Sequence, residues 1–342
     1  MNNLYDYIKY YKNFDFEEIN FNTVDALIYS VLIYLPINEL SNGSTPKEIN
    51  YTNETQYNKN NIQYHAIEIL KEIKNSKRYQ NIKLYNLEKI ENNEMQFGAI
   101  TIRHNNITFI AFEGSNGSII GWKENLNLSC EYPTATQKEA ANYLNKVIKF
   151  TDQNIYVGGH SKGGNMAMAA CMECNKNISK RIKKIFNFDG PGFRKKEFNS
   201  EKFKQMNQKL YNVIPDGSLV GILLNNMNYH YIKTSGIGFE KHRPINWHLF
   251  GEFFIENKIS DYSKEIHEKV NKNIEQLNEN DVKKLIEELY KFFENNNIRT
   301  TKDISKTTDL KNIIYQINEV DDKTKKTFFD IAKILLTNTK YQ

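Results

Sequence analysis

"NIYVGGHSKGGNMAMAAC", residues 154–171, decides how this chain folds. Ile155, Tyr156 and Val157 form a short run of the kind that makes a buried strand. Gly163, Gly164, Ala167, Ala169 and Ala170 follow as small residues on a helix that must pack closely against a sheet. Between the two, Gly159, His160, Ser161, Lys162 and Gly163 spell a G-x-S-x-G pattern. A strand, a sharp turn and a helix are the context in which that pattern becomes a nucleophile elbow, with the serine hydroxyl lifted above the start of the helix. Side chains at 159 or 163 would collide across such a turn. A phosphate-cradling loop would need consecutive Gly-Lys-Ser/Thr, which the stretch lacks. An ordinary glycine-rich turn is the plainer alternative.

The flanks support an α/β reading. Val24, Leu27, Ile28, Val31, Leu32 and Leu35 recur at helical spacing, and Ala66–Ile73 predicts a second helix. A polar stretch at 41–61 reads as a loop. Strand-like runs follow at 82–87, 97–104 and 107–114, the last two joined by a hairpin turn at Asn105–Asn106. From 137 the pattern alternates: a helix, the strand at 154–159, the helix after Ser161, the strand KKIFNFD, a helix at 197–207, and the strands KLYNVIP and YHYIKT. Short apolar strands alternating with helices predict a mostly parallel sheet covered by helices. We place this α/β domain at 1–254. Residues 255–342 contain no glycine or proline and read as amphipathic helices, a C-terminal helical annex that packs on the sheet or covers its mouth.

Composition narrows the function classes. The net charge is +5, and only six of the 46 basic residues are arginine, the side chain suited to reading phosphates and base edges, so nucleic acid is not an expected partner. Residues 255–342 hold 16 basic and 16 acidic side chains, so the surplus lies on 1–254. A basic face would suit an anionic substrate or lipid head group; scattered solubilising lysines are the plainer reading. Cys130, Cys171 and Cys174 are too few for a disulfide framework and read as small core residues. The amino terminus shows no apolar signal core, and the apolar run at 24–35 is too short to cross a bilayer. No transmembrane segment and a cytoplasmic location are therefore expected.

A serine hydroxyl needs a base, and in sheets of this type the acid and then the histidine follow the serine. Of the histidines beyond 161, His230 is fixed in a strand, His267 lies in the annex, and His248 reads as part of a helix opening at Pro244. His242, in a glycine-containing loop after the last strand, is the one able to reach back. Asp189 and Asp216 both sit at strand ends. Asp216 is favoured because it lies one strand nearer the histidine; Asp189 is the alternative acid. The oxyanion would take one donor from the main-chain N–H of Lys162. The second would come from Gly114–Ser115, at the end of an earlier strand.

IAFEGSNGSIIGWKENLNLS, GGHSKGGNMA, NFDGPGF, VIPDGSLVGILL and EKHRPINW resemble, in that order, blocks of the Mbeg1-like family, a group related to the class 3 lipases of the α/β-hydrolase fold. The blocks span about 95–255, with a weaker likeness around VDALIYSVLIYLP, and leave the annex uncovered. The resemblance implies an α/β-hydrolase-like fold and a lipase- or esterase-like serine hydrolase. Its triad would be Ser161, His242 and Asp216, with Ser115 and Lys162 at the oxyanion hole. Glu113 stands where the lipase block F-R-G-[ST] has arginine. The substrate implied is an acyl ester or lipid, a phospholipid included, reached by transient contact with a membrane surface. No metal or cofactor is implied. A binding module that has the fold without the catalysis is the competing class, and a protease or thioesterase would use the same triad.

Overall fold

The computed structural model describes residues 2–51, 54–259, 261–301, 303–304 and 310–339. Seven strands form one sheet: β1 (Lys83–Glu91), β2 (Gln96–His104), β3 (Ile107–Phe112), β4 (Asn154–His160), β5 (Ile182–Phe188), β6 (Leu210–Pro215) and β7 (Tyr229–Ile232). Their spatial order is their chain order. β1, β2 and β3 form an antiparallel meander; β3 to β7 run parallel. The fold is α/β-hydrolase-like. The expected hairpin joins β2 to β3, with Asn105 at φ 48°. β1 runs further than the 82–87 expectation, because an irregularity between Tyr85 and Glu88, with Asn86 at φ 51°, lets it pair twice along β2.

Sequential parallel order has a packing consequence. Right-handed crossovers that always step the same way place every crossover helix on one face. That face is covered by α5 (Ala135–Val147), α6 (Lys162–Glu173) and α9 (Glu201–Asn207), which bury Phe97, Ile110, Phe112 and Val157. The opposite face needs other partners. α1 (Leu4–Tyr11), α2 (Thr23–Leu32) and α3 (Ile62–Ile73) supply them, together with Trp247, Leu249 and Phe254, against Phe109, Ala111, Phe186 and Val213. A buried ion pair, Arg78 to Asp25 at 2.6 Å, ties these helices together, with the Tyr7 and Tyr79 hydroxyls donating to the same carboxylate.

The remaining crossover helices are α4 (Ile119–Asn127), α7 (Lys176–Arg181) and α8 (Lys195–Phe198). The helix expected at 197–207 is thus two pieces, α8 and α9, separated where Ser200 caps the second. The helix expected around His248 does not form. Pro244–Asn246 is a single 3-10 turn, after which Trp247 and Leu249 alternate into the core and lead to a hairpin of β8 (Leu249–Phe250) and β9 (Phe253–Phe254). The annex is helical: α10 (Asp261–Glu275), α11 (Glu279–Asn295), α12 (Leu310–Gln316) and α13 (Asp322–Thr339). Its apolar faces close on α4 and on the 216–228 connection, where Val282, Leu289 and Phe293 meet Trp122, Leu223 and Leu224. The main chain at Arg299 and Thr301 also bonds to Ile119 and Gly117.

Candidate active site

Ser161 sits between β4 and α6 with φ 58° and ψ −133°, a conformation non-glycine residues adopt only where the surroundings impose it. The impositions are visible. Ser161 N–H donates to Phe188 O at the end of β5, and Gly164 N–H donates back to Ser161 O. A Cβ on Gly159 would lie 2.3 Å from the Gly163 carbonyl carbon, and one on Gly163 would lie 2.2 Å from Phe112 O. Both glycines are therefore demanded by close approach, and the turn at Ser161 is the elbow.

His242 ends a 3-10 segment, Gly238–His242, that follows β7. Its Nδ1 lies 2.6 Å from Asp189 Oδ2. Asp189 leaves the end of β5 at φ 55° and is wholly buried. Its carboxylate also accepts from Ser218 Oγ at 2.6 Å and from Gly221 N–H at 3.0 Å. Burial pushes this carboxyl up, while the Ser218 and Gly221 donors favour its ionised form. Burial lowers the His242 imidazole to about 3, which leaves it neutral at ordinary pH, the state required of a proton acceptor. His242 Nε2 is buried and has no hydrogen-bond partner among the described residues.

Asp216, the favoured acid of the sequence reading, is not brought to His242. Its carboxylate accepts from Asn257 at 3.3 Å, and its main-chain oxygen accepts from Lys241 Nζ. The physical reason lies in the turn: the residue of the P-D-G-S segment that points to the site is Ser218, two positions on, and it binds Asp189. Asp189, the alternative, holds the histidine.

His160, inside the elbow motif, braces His242. Its ring lies 4.4 Å from the His242 ring, and its Nε2 is 2.9 Å from His242 O. A carbonyl only accepts, so Nε2 of His160 carries the proton. Ser115 is fully buried, and its hydroxyl is engaged with α4, accepting from Asn125 Nδ2 at 2.7 Å. Any contribution of Ser115 to an oxyanion is thus through its main chain. β3 does end against the elbow, since a Cβ on Gly114 would lie 3.2 Å from Ser161 Cβ. Lys162 opens α6, where a helix leaves its N–H without an intrahelical acceptor.

The site is closed: Ser161 is 5 % exposed and His242 2 %. A cavity of about 20 Å³, room for one water, touches both His160 and His242. Among the described residues no cluster of histidine, cysteine or carboxylate side chains has the makings of a metal site, and no helix is long and apolar enough to cross a membrane.

The Mbeg1-like family model matches residues 73–291, more than half of the chain. The chain belongs to the Mbeg1-like family. The Mbeg1-like match begins before β1 and ends within α11, so it is wider than the 95–255 blocks legible in the sequence and includes part of the annex. Among curated proteins and solved structures, none matches the chain.

Proposed function

We propose that this protein is a serine hydrolase that cleaves an acyl ester, with Ser161 as nucleophile, His242 as base and Asp189 as the acid that orients it. The observation that carries the reading is a buried imidazole, 4.4 Å ring to ring from His160 of the strained elbow, with one nitrogen on a carboxylate and the other bare. Ser161 Oγ attacks the ester carbonyl as its proton passes to His242 Nε2. Asp189 stabilises the imidazolium, and the main-chain N–H groups of Lys162 and Ser115 receive the oxyanion. The C–O bond then breaks as the leaving alcohol takes the proton from Nε2. Water repeats the sequence on the acyl-enzyme and frees the acid. A lipid or other acyl ester fits the family resemblance, and because Ser161 is buried, entry requires a movement that exposes it.

A non-catalytic binding module is the second reading, and the closed site favours it. The two separate in one experiment: labelling of the full chain with a fluorophosphonate probe, with and without detergent micelles to open the site. Labelling of the wild type that is absent in Ser161→Ala and His242→Ala is the expected result. A folded wild type that stays unlabelled under both conditions leaves the binding module.

A further inference from the structure

The side chain of Lys162 is an anomaly. It is 1 % exposed, and both bonds of its ammonium go to one neutral residue, Gln96, at the start of β2: to Oε1 at 2.8 Å and to the main-chain oxygen at 2.9 Å. Burial lowers the Lys162 amine to about 8, against the attraction of Glu124, Glu113 and Glu91. Such a group costs stability, so what it accomplishes at Gln96 is the question.

An ammonium can only donate, so it must meet the oxygen of the Gln96 amide and not the nitrogen. That fixes which way the amide faces. Gln96 Nε2 is thereby aimed at Gly114 O, 3.3 Å away, and at the acceptor-only carboxylate of Glu113, 3.5 Å away. Glu113 is held in turn by Lys89 at 2.6 Å. On the other side of Gly114, its N–H donates to Tyr34 Oη at 2.8 Å, and the Tyr34 hydroxyl donates to His160 O at 3.2 Å. Gly114 is clamped at both its polar atoms. Because the peptide is planar and trans, the carbonyl of Gly114 and the N–H of Ser115 point in opposite directions within one plane. Anchoring the first aims the second.

We infer that Gln96, oriented by the Lys162 side chain, is the positioning residue of the oxyanion hole: it sets the Gly114–Ser115 peptide so that the Ser115 N–H joins the Lys162 N–H. Lys162 then serves both donors, one with its main chain and the other through its side chain. This inference rests on the hydrolase reading proposed above.

The test is steady-state hydrolysis of p-nitrophenyl butyrate by the full chain, with binding of a trifluoromethyl ketone that forms a tetrahedral adduct on serine. Gln96→Met keeps the length and loses the donor. Gln96→Glu keeps an acceptor for Lys162 and sets a carboxylate against Gly114 O. Removal of an oxyanion donor costs about a hundred- to thousand-fold, so misdirecting one should lower kcat about ten- to a hundred-fold. KM should stay within about twofold, and ketone affinity should fall in step with kcat/KM. Lys162→Met should move kcat the same way by a smaller factor. Should Gln96→Met not fold, Gln96→Glu decides alone. Wild-type kcat in a folded Gln96 variant, or a change confined to KM, overturns the inference and leaves the hydrolase reading standing. A wild type inert towards both ester and fluorophosphonate overturns the two together.

Discussion

Asp189 and Asp216 are the same residue at the same kind of place, the carboxyl end of neighbouring parallel strands, and they have different lives. Asp189 is fully buried at φ 55°, and its carboxylate is met by a histidine, a serine hydroxyl and a main-chain N–H. Asp216 is half-buried, and its carboxylate is met by an exposed asparagine amide. A carboxylate in water has little orienting power, because solvent competes for every lone pair. Out of water and bonded to three donors, it holds an imidazole in one tautomer and one direction. Both residues share the strand-end position, and only Asp189 is buried among donors at the histidine.

Three substitutions or titrations would break or sharpen that contrast. The largest effect is at Asp189 itself: Asp189→Asn should lower kcat for an activated ester about ten-thousand-fold, while Asp216→Asn should leave it within about twofold. Steady-state kinetics on the two variants decides, and the reverse ranking would restore Asp216. Next is the hydroxyl that Asp189 accepts at 2.6 Å. Ser218→Ala should cost about tenfold in kcat, the scale of losing an outer hydrogen bond to a functional group, with KM unchanged. The smallest effect is on stability. His242 is held below the ordinary histidine range, to about 3. Between about pH 6.5 and 3 the unfolded chain binds a proton that the folded His242 refuses, so stability falls as pH falls through that window. His242→Gln should flatten the acid limb of the denaturation profile by one proton, about 1.4 kcal/mol per pH unit.

The elbow, the β2–β3 hairpin and the alternating sheet were legible in sequence because each depends on neighbours within a dozen residues. Gly159 and Gly163 announce a collision four residues apart, and Asn105–Asn106 announces its own turn. His242 was singled out by exclusion, since His230 read as fixed in a strand, His248 as part of a helix and His267 as part of the annex. That His242 pairs with Asp189 and not with Asp216 was not legible, because chain order carries no information on which strand end is dehydrated. Helical signals around His248 misled for a related reason: Trp247 and Leu249 are apolar two apart, and a core on one side made them a strand entrance. Tyr34 and Gln96 could not be found at all. Their contacts with His160 and Lys162 span 126 and 66 residues, and nothing local marks them.

The one-directional order of the strands also sets a timetable for synthesis. The helices that cover the open face come first, within residues 4–73, yet the aromatic side chains they bury against include Phe186, Trp247 and Phe254. Asn2 O accepts from Leu249 N–H, so the first described residues of the chain are fastened to a segment made after all seven strands of the sheet. At ribosomal rates of about 5–20 residues per second, those apolar helices wait roughly ten seconds or more for their partners. Relative to the strands and aromatic rings they cover, these helices are made early and settle late.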